Sequence, residues 1–205
     1  MIKFMDIREN LLRGGFEFVS DETLRQLFMS YKVCVQHLNA LRAELEAMKK
    51  EGRSDSLLYR DRSFSLAAEW NEVLLFELFF ENINIEQPPV AGTLIKAISI
   101  QWGSFDEFLL DVRHLAQGRY AKWVTLSFEP YCGQLYLNQI DSRGTGILAH
   151  HSVLLSLCVA ESAYCADFGA HAKSQYVRRL LDNLDWKIAQ LRYDRAMEGK
   201  LPLRY

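Results

Sequence analysis

Residues 21–50 read DETLRQLFMSYKVCVQHLNALRAELEAMKK and contain neither glycine nor proline. Apolar side chains recur every three or four residues along this run, at Leu24, Leu27, Phe28, Tyr31, Val35, Leu38, Leu41, Leu45 and Met48. This spacing predicts one long amphipathic α-helix, because about 3.6 residues per turn bring these positions onto a single face. Ser20 or Asp21 is suited to cap its N-terminus.

A second helix is predicted after a short turn. The polar segment KKEGRSDS at 49–56 contains Gly52 and is typical of a turn. Helical spacing of apolar residues then continues from about Arg62 to Glu81. Two long helices joined by a short turn pack as an antiparallel hairpin.

The Pro88-Pro89 pair interrupts the helical pattern and marks the predicted boundary between two domains. Residues 1–87 would form an N-terminal segment and a helical-hairpin domain. Residues 88–205 would form a C-terminal α+β domain.

The C-terminal half begins with helical pieces and then becomes rich in β-forming residues. A helix is predicted over 91–100, and Ser104-Phe-Asp-Glu107 is a capping box that opens another helix ending at Ala116. Three strands are predicted, WVTLSF at 123–128, QLYLNQ at 134–139 and SVLLSLCVA at 152–160. Two helical pieces, broken near Gly169, would close the chain. The order predicts an α+β fold in which a helical hairpin precedes a three-stranded antiparallel sheet flanked by helices.

Composition narrows the class of protein. The 205-residue chain is 49% hydrophobic and 24% charged, as globular proteins are. Its net charge of −2 disfavours nucleic acid as a partner. Apolar runs such as VLLF at 73–76 are too short to cross a bilayer, so no membrane is expected. Four cysteines without a CxxC pair, and a start that lacks a signal-peptide pattern, favour a reducing, cytoplasmic location.

Five separated segments resemble the iron/manganese superoxide dismutase family and follow its order. They are VQHLNALRAEL (35–45), FELFFENI (76–83), WGSFDEF (102–108), LLSLCVAESAY (154–164) and YVRRLLDNLDW (176–186). The resemblance spans most of the chain and implies the same α+β fold that the helix and strand patterns predict.

The resemblance also implies where four metal ligands, three histidines and one aspartate, would stand. Those positions carry Gln26, Phe76, Cys158 and Ser162. Only the cysteine is a credible ligand, and a thiolate prefers softer ions than iron or manganese in such a site. We therefore expect no metal cofactor and no dismutase activity.

Two tryptophans of the family correspond to Ala121 and Ala160. Such exchanges leave a void unless other rings, from Phe76 and Tyr120, fill it. The family's active-site glutamine corresponds to Gln139 after a one-residue shift. The candidate pocket at this place comprises Cys34, Phe76, Tyr120, Ala121, Gln139, Cys158 and Ala160.

The resemblance further implies a homodimer. Glu161 is retained, and in the family this carboxylate reaches across a twofold axis to the partner's ligand histidine, replaced here by Ser162 of the partner subunit. Tyr164 also matches a family interface residue. Glu161, Ser162 and Tyr164 are therefore predicted interface residues.

The thiols and histidines have two interpretations. Cys34 and Cys158 could form a reactive pair or bind a soft metal, but small core residues are the favoured interpretation. His37 lies three residues after Cys34 and is expected at the surface, and His150-His151 in a loop or an interface.

Three functions remain open. The chain could be a non-catalytic dimeric scaffold that binds another protein. It could carry a metal-free pocket that binds or transforms an apolar small molecule. A dismutase with substitute ligands is disfavoured, because four replacements remove both imidazole and carboxylate donors.

Overall fold

The long N-terminal helix predicted from the sequence is present. The computed structural model describes residues 4–85, 90–142 and 144–200. Helix α1 spans Asp21–Lys50, and its Ser20 hydroxyl accepts the backbone N–H of Thr23 at 3.1 Å as an N-cap. Every apolar position of the predicted stripe is buried, so the helical periodicity is confirmed.

The second helix begins earlier than predicted. Helix α2 spans Leu57–Asn82, and the Ser56 hydroxyl caps it by accepting the N–H of Tyr59 at 3.2 Å. The first turns expose apolar side chains, including Phe64, which is 89% exposed. Sequence periodicity therefore could not show where α2 starts, whereas the cap does.

Two shorter helices follow the hairpin. Helix α3 spans Thr93–Trp102 and helix α4 spans Phe105–Ala116. The Ser104 hydroxyl accepts the N–H of Glu107 at 3.1 Å, which confirms the predicted cap. The predicted boundary at Pro88-Pro89 lies outside the described residues.

A three-stranded antiparallel sheet forms the second layer, with strand order β2-β1-β3. Strand β1 spans Trp123–Glu129, β2 spans Gln134–Ile140 and β3 spans Ser152–Cys158. The predicted third strand extended to residue 160. It ends earlier because the chain turns into a 3-10 segment at Glu161–Ala163, where the N–H of Ala163 bonds Ala160 O at 2.9 Å.

Three helices complete the chain and pack around the sheet. A short helix α5 spans Cys165–Phe168, α6 spans Lys173–Asp182 and α7 spans Trp186–Met197. The predicted break falls at Gly169, whose φ is 81°. A further break follows α6, where the Asp185 carboxylate accepts the N–H groups of Lys187 and Ile188 and starts α7.

The observed architecture confirms the predicted α+β fold. In the described ranges, no helix combines the length and the apolarity that crossing a membrane requires. The hydrophobic core runs continuously from the hairpin through the sheet to α7.

Candidate functional site

Phe76 lies in the C-terminal third of α2 with only 2% of its surface exposed. Its ring meets the indole of Trp123 edge-to-face, with the ring centres 4.9 Å apart. The rings of Tyr31 and Phe80 lie on other sides, each 6.4 Å away. A phenyl ring therefore packs into the aromatic core at a position where the family would present an imidazole nitrogen.

Cys158 is the last residue of β3 and is 1% exposed. It pairs in register with Trp123 of β1, which brings it next to the indole that Phe76 contacts. Its carbonyl oxygen accepts the hydroxyl of Tyr176 at 2.8 Å. Burial raises the pKa of the Cys158 thiol to about 12, so this sulfur is protonated at neutral pH.

Cys34 is half-buried on α1. Burial, with the nearby Glu72 carboxylate as a second cause, raises the pKa of its thiol to about 11. A protonated thiol is a poor nucleophile. The electrostatics of both cysteines thus favour the core-residue interpretation over a reactive pair.

An ion pair between Lys122 and Glu72 lies beside the Phe76 ring. The ammonium of Lys122 contacts the Glu72 carboxylate and lies 5.8 Å from the centre of the Phe76 ring. The other Glu72 oxygen accepts the indole N–H of Trp123 at 3.2 Å. Burial has the largest effect on the pKa of Cys158, and of the two charges Lys122 lowers this pKa while Glu72 raises it.

Local structure fixes both members of the pair. Glu72 precedes Phe76 by four residues on α2, so the two side chains share one helix face. The backbone N–H of Lys122 donates to the carbonyl oxygen of Ile140 at 2.9 Å, and the carbonyl oxygen of Lys122 accepts the N–H of Val159 at 2.8 Å. These bonds hold Lys122 between the ends of β2 and β3, the two strands that flank β1. The sequence analysis missed this pair, although Lys122 follows Ala121, a position that the resemblance assigns to a tryptophan, and was a signal for it.

The remaining two ligand positions lie at the surface. Gln26 is exposed and its amide donates to the Glu22 carboxylate at 3.2 Å, one turn away on α1. Ser162 is exposed in the 3-10 segment after β3. Of the four positions, the sheet and α2 bring together only Phe76 and Cys158, through Trp123.

These side chains do not fit an iron or manganese ion. They offer one protonated thiol, one amide and one hydroxyl, and a phenyl ring has no lone pair to donate. Within residues 4–85, 90–142 and 144–200, no group of three or more histidine, cysteine, aspartate or glutamate side chains is placed to hold a metal ion.

The predicted pocket is not assembled as a whole. Ala121 is buried and Ala160 is half-buried, but Tyr120 is 77% exposed and has the Arg119 guanidinium over its ring. Gln139 is exposed and donates to Leu115 O at 2.8 Å. Tyr120 and Gln139 therefore lie at the surface. The ring of Phe76 packs on Trp123 instead of on Tyr120, which was expected to help Phe76 fill the space.

The predicted interface residues differ in exposure. Glu161 and Ser162 are open to solvent in the single chain. Tyr164 is only 3% exposed, and its ring stacks on Tyr176 with the centres 5.6 Å apart. In the single chain Tyr164 is thus buried against Tyr176, and its place in an interface stays a prediction. His37 is exposed, as expected.

The sequence from 90 to 192 matches the family model of the iron/manganese superoxide dismutases, C-terminal domain. This chain belongs to the iron/manganese superoxide dismutase family. An iron superoxide dismutase of Pyrobaculum aerophilum is 26% identical over 180 residues, which cover 82% of each chain. An iron enzyme of Aquifex pyrophilus is 22% identical over 204 residues, 95% of this chain and 93% of the relative.

The similarity extends to a manganese member of the superoxide dismutase family. The mitochondrial enzyme of Drosophila melanogaster is 25% identical over 174 residues, covering 81% of this chain and 76% of its own. The family suggested by the sequence segments is thus confirmed, and the predicted fold with it. The centre of this dismutase-like chain nonetheless holds an aromatic cluster and an ion pair.

Proposed function

We propose that this protein has no superoxide dismutase activity and acts as a dimeric, non-catalytic scaffold for another protein. The observation that carries the proposal is the packing of Phe76 against Trp123, with the Lys122 ammonium beside its ring. A phenyl ring at one ligand position and a soft sulfur donor at another leave too few nitrogen and oxygen donors for a hard ion.

Electrostatics support the same conclusion. The Lys122 ammonium brings a fixed positive charge to the Phe76 ring, and Glu72 pairs with it. A divalent cation entering here would meet a like charge in a poorly solvated place. The carboxylate that could attract such a cation is already engaged by Lys122 and by the Trp123 indole.

The dimer and the location form the second part of the proposal. Glu161 and Ser162 are exposed in the single chain. The family resemblance, on which this part of the proposal rests, implies that these two positions face the twofold axis of a dimer. Burying Glu161 without a partner would be costly, which favours an ion pair or a hydrogen bond across the axis. Four unpaired cysteines fit a reducing cytoplasmic compartment.

Metal analysis with an activity assay tests the proposal. The full chain is expressed in medium containing iron and manganese, purified without chelator, and analysed by plasma mass spectrometry and cytochrome c competition. The Pyrobaculum aerophilum enzyme, prepared in parallel, is the positive control. We expect far less than one metal ion per chain and no dismutation. A stoichiometric iron or manganese ion with activity would contradict the proposal.

A further inference from the structure

A cavity of about 240 Å³ lies between α2 and the segment that connects β2 to β3. Its walls are mainly aliphatic, from Leu74, Leu75 and Leu78 on α2 and from Ile147 and Val153 opposite. A concave site with mainly aliphatic walls is a candidate site for a small ligand.

The cavity is distinct from the family's metal position. Leu74 and Leu78 each lie two residues from Phe76, and about 100° per residue turns them about 160° away from it on α2. Phe76 packs on Trp123, whereas the cavity lies against the β2–β3 connection, which lines its other side. The two features use opposite faces of the same helix.

The connection is anchored, so it cannot simply collapse into the void. Gly146 adopts a φ of 115°, and a Cβ there would lie 2.1 Å from Gln139 O. The Asn138 amide donates to Gly146 O at 2.6 Å, and Asp141 accepts the N–H of Thr145 at 2.9 Å. These contacts fix one wall against β2 while α2 forms the other.

The charged groups at the cavity already have opposite charges beside them. Glu77 and Glu81 line it with 2% and 4% exposure. Glu77 lies 3.5 Å from the Arg8 guanidinium and accepts the hydroxyl of Tyr31 at 3.0 Å, and Glu81 lies between the guanidinium groups of Arg8 and Arg192. Because the carboxylates are compensated, the cavity offers no excess charge to an ionic ligand.

A few hydrogen-bonding groups lie among the aliphatic walls. His151 lines the cavity with its Nδ1 3.2 Å from the hydroxyl of Ser127, and its ring lies 5.1 Å from that of Tyr136. Asn71 and Ser152 also line it. Hydrophobic walls with a small number of hydrogen-bonding groups are typical of sites that orient a small molecule.

We infer that this cavity binds a small uncharged molecule with an apolar body and one hydroxyl or carbonyl group. Scaling from the ~150 Å³ cavity that accepts benzene, the ligand has roughly ten non-hydrogen atoms. This inference is independent of the scaffold proposal, because it involves neither the metal position nor the dimer.

Binding of 2-naphthol to the full chain, followed by its fluorescence, tests the inference. Leu78→Trp fills the cavity from α2, and Leu58→Trp is the matched control, because Leu58 lies on the same helix, is 45% exposed and does not line the cavity. We expect saturable one-to-one binding, weakened at least tenfold by Leu78→Trp and unchanged by Leu58→Trp. Ile147→Phe, from the opposite wall, should weaken binding as Leu78→Trp does.

Charged analogues test the chemical class. With 2-naphthoate and 2-naphthylmethylammonium we expect at least tenfold weaker binding than with 2-naphthol. The inference is overturned if the wild-type chain shows no saturable binding, if both filling variants bind like the control, or if a charged analogue binds more tightly. Circular dichroism verifies the fold of each variant, and Ile147→Phe decides the matter if Leu78→Trp does not fold.

Discussion

At Phe76 a single aromatic side chain joins the hairpin to the sheet. Its ring contacts Trp123 of β1 and lies near Tyr31 of α1, so it links three elements. A histidine at this position would need a hydrogen-bond partner for each ring nitrogen, whereas the phenyl ring needs none. Phe76 therefore adds to the hydrophobic core and offers no lone pair at the position that the resemblance assigns to a ligand histidine.

Phe76→Ala should destabilise the chain by about 3–5 kcal/mol, because it leaves a cavity among aromatic rings. Urea unfolding followed by tryptophan fluorescence measures the loss. Phe64→Ala, on the same helix at an 89% exposed position, is the control and should change stability by less than about 0.5 kcal/mol. Equal losses in the two variants would show that Phe76 does not anchor the core.

The pair of Lys122 and Glu72 is expected to behave as a coupled unit. Lys122→Met leaves the Glu72 carboxylate, 12% exposed, without its ion-pair partner and should cost about 1–3 kcal/mol. The ammonium is 28% exposed, so solvent screening holds the effect below that of a fully buried pair. Adding Glu72→Gln should recover part of the loss in a double-mutant cycle, whereas additive losses would argue against coupling.

Thiol reactivity follows from burial. The raised pKa values of Cys34 and Cys158 predict slow alkylation by iodoacetamide at pH 8, with rates that rise as the pH approaches 11. Exposed Cys132 is the internal control and should react first. Peptide mass spectrometry locates the label, and guanidinium should make all sites reactive. Rapid labelling of native Cys158 would contradict its burial.

The same shifts predict how stability depends on pH. In the unfolded chain the thiols of Cys34 and Cys158 ionise near pH 8.5, whereas in the folded chain burial raises their pKa values and keeps them protonated to higher pH. Their stabilising contribution is therefore complete below about pH 8.5 and is lost as the pH rises above it.

At the level of elements, the connection between β2 and β3 depends on glycine. Gly146→Ala should destabilise more than Gly133→Ala, by at least about 1 kcal/mol, although both residues have positive φ. The reason is that a Cβ on Gly146 would collide with Gln139 O, whereas nothing lies within 4 Å of one on Gly133. Thermal unfolding of both variants measures the difference, and equal effects would mean that the connection is not tightly anchored.

For the whole molecule, the decisive prediction concerns assembly. In the proposed homodimer, Glu161→Arg should produce monomers in sedimentation equilibrium, because it places two guanidinium groups, one from each chain, as like charges near the twofold axis. Glu51→Arg, in the exposed turn between α1 and α2, is the control and should leave the assembly unchanged. A monomeric wild-type chain would contradict the dimer.

Helical spacing, caps and segment order were sufficient to predict the hairpin, the sheet and the family. The helix starts depend on residues close in sequence, since the hydroxyls of Ser20 and Ser104 cap the N–H groups three residues later. The start of α2 was missed because exposed apolar side chains in its first turns obscured the helical period. Local chemistry specifies such elements almost completely.

The contents of the site required contacts between elements distant in sequence. Glu72 and Lys122 meet only because α2 packs on the sheet, and Tyr120 and Gln139 reach the surface rather than the predicted pocket. The residues at the ligand positions could be read along the chain, but burial, charge pairing and cavities depend on how helices and strands pack in space.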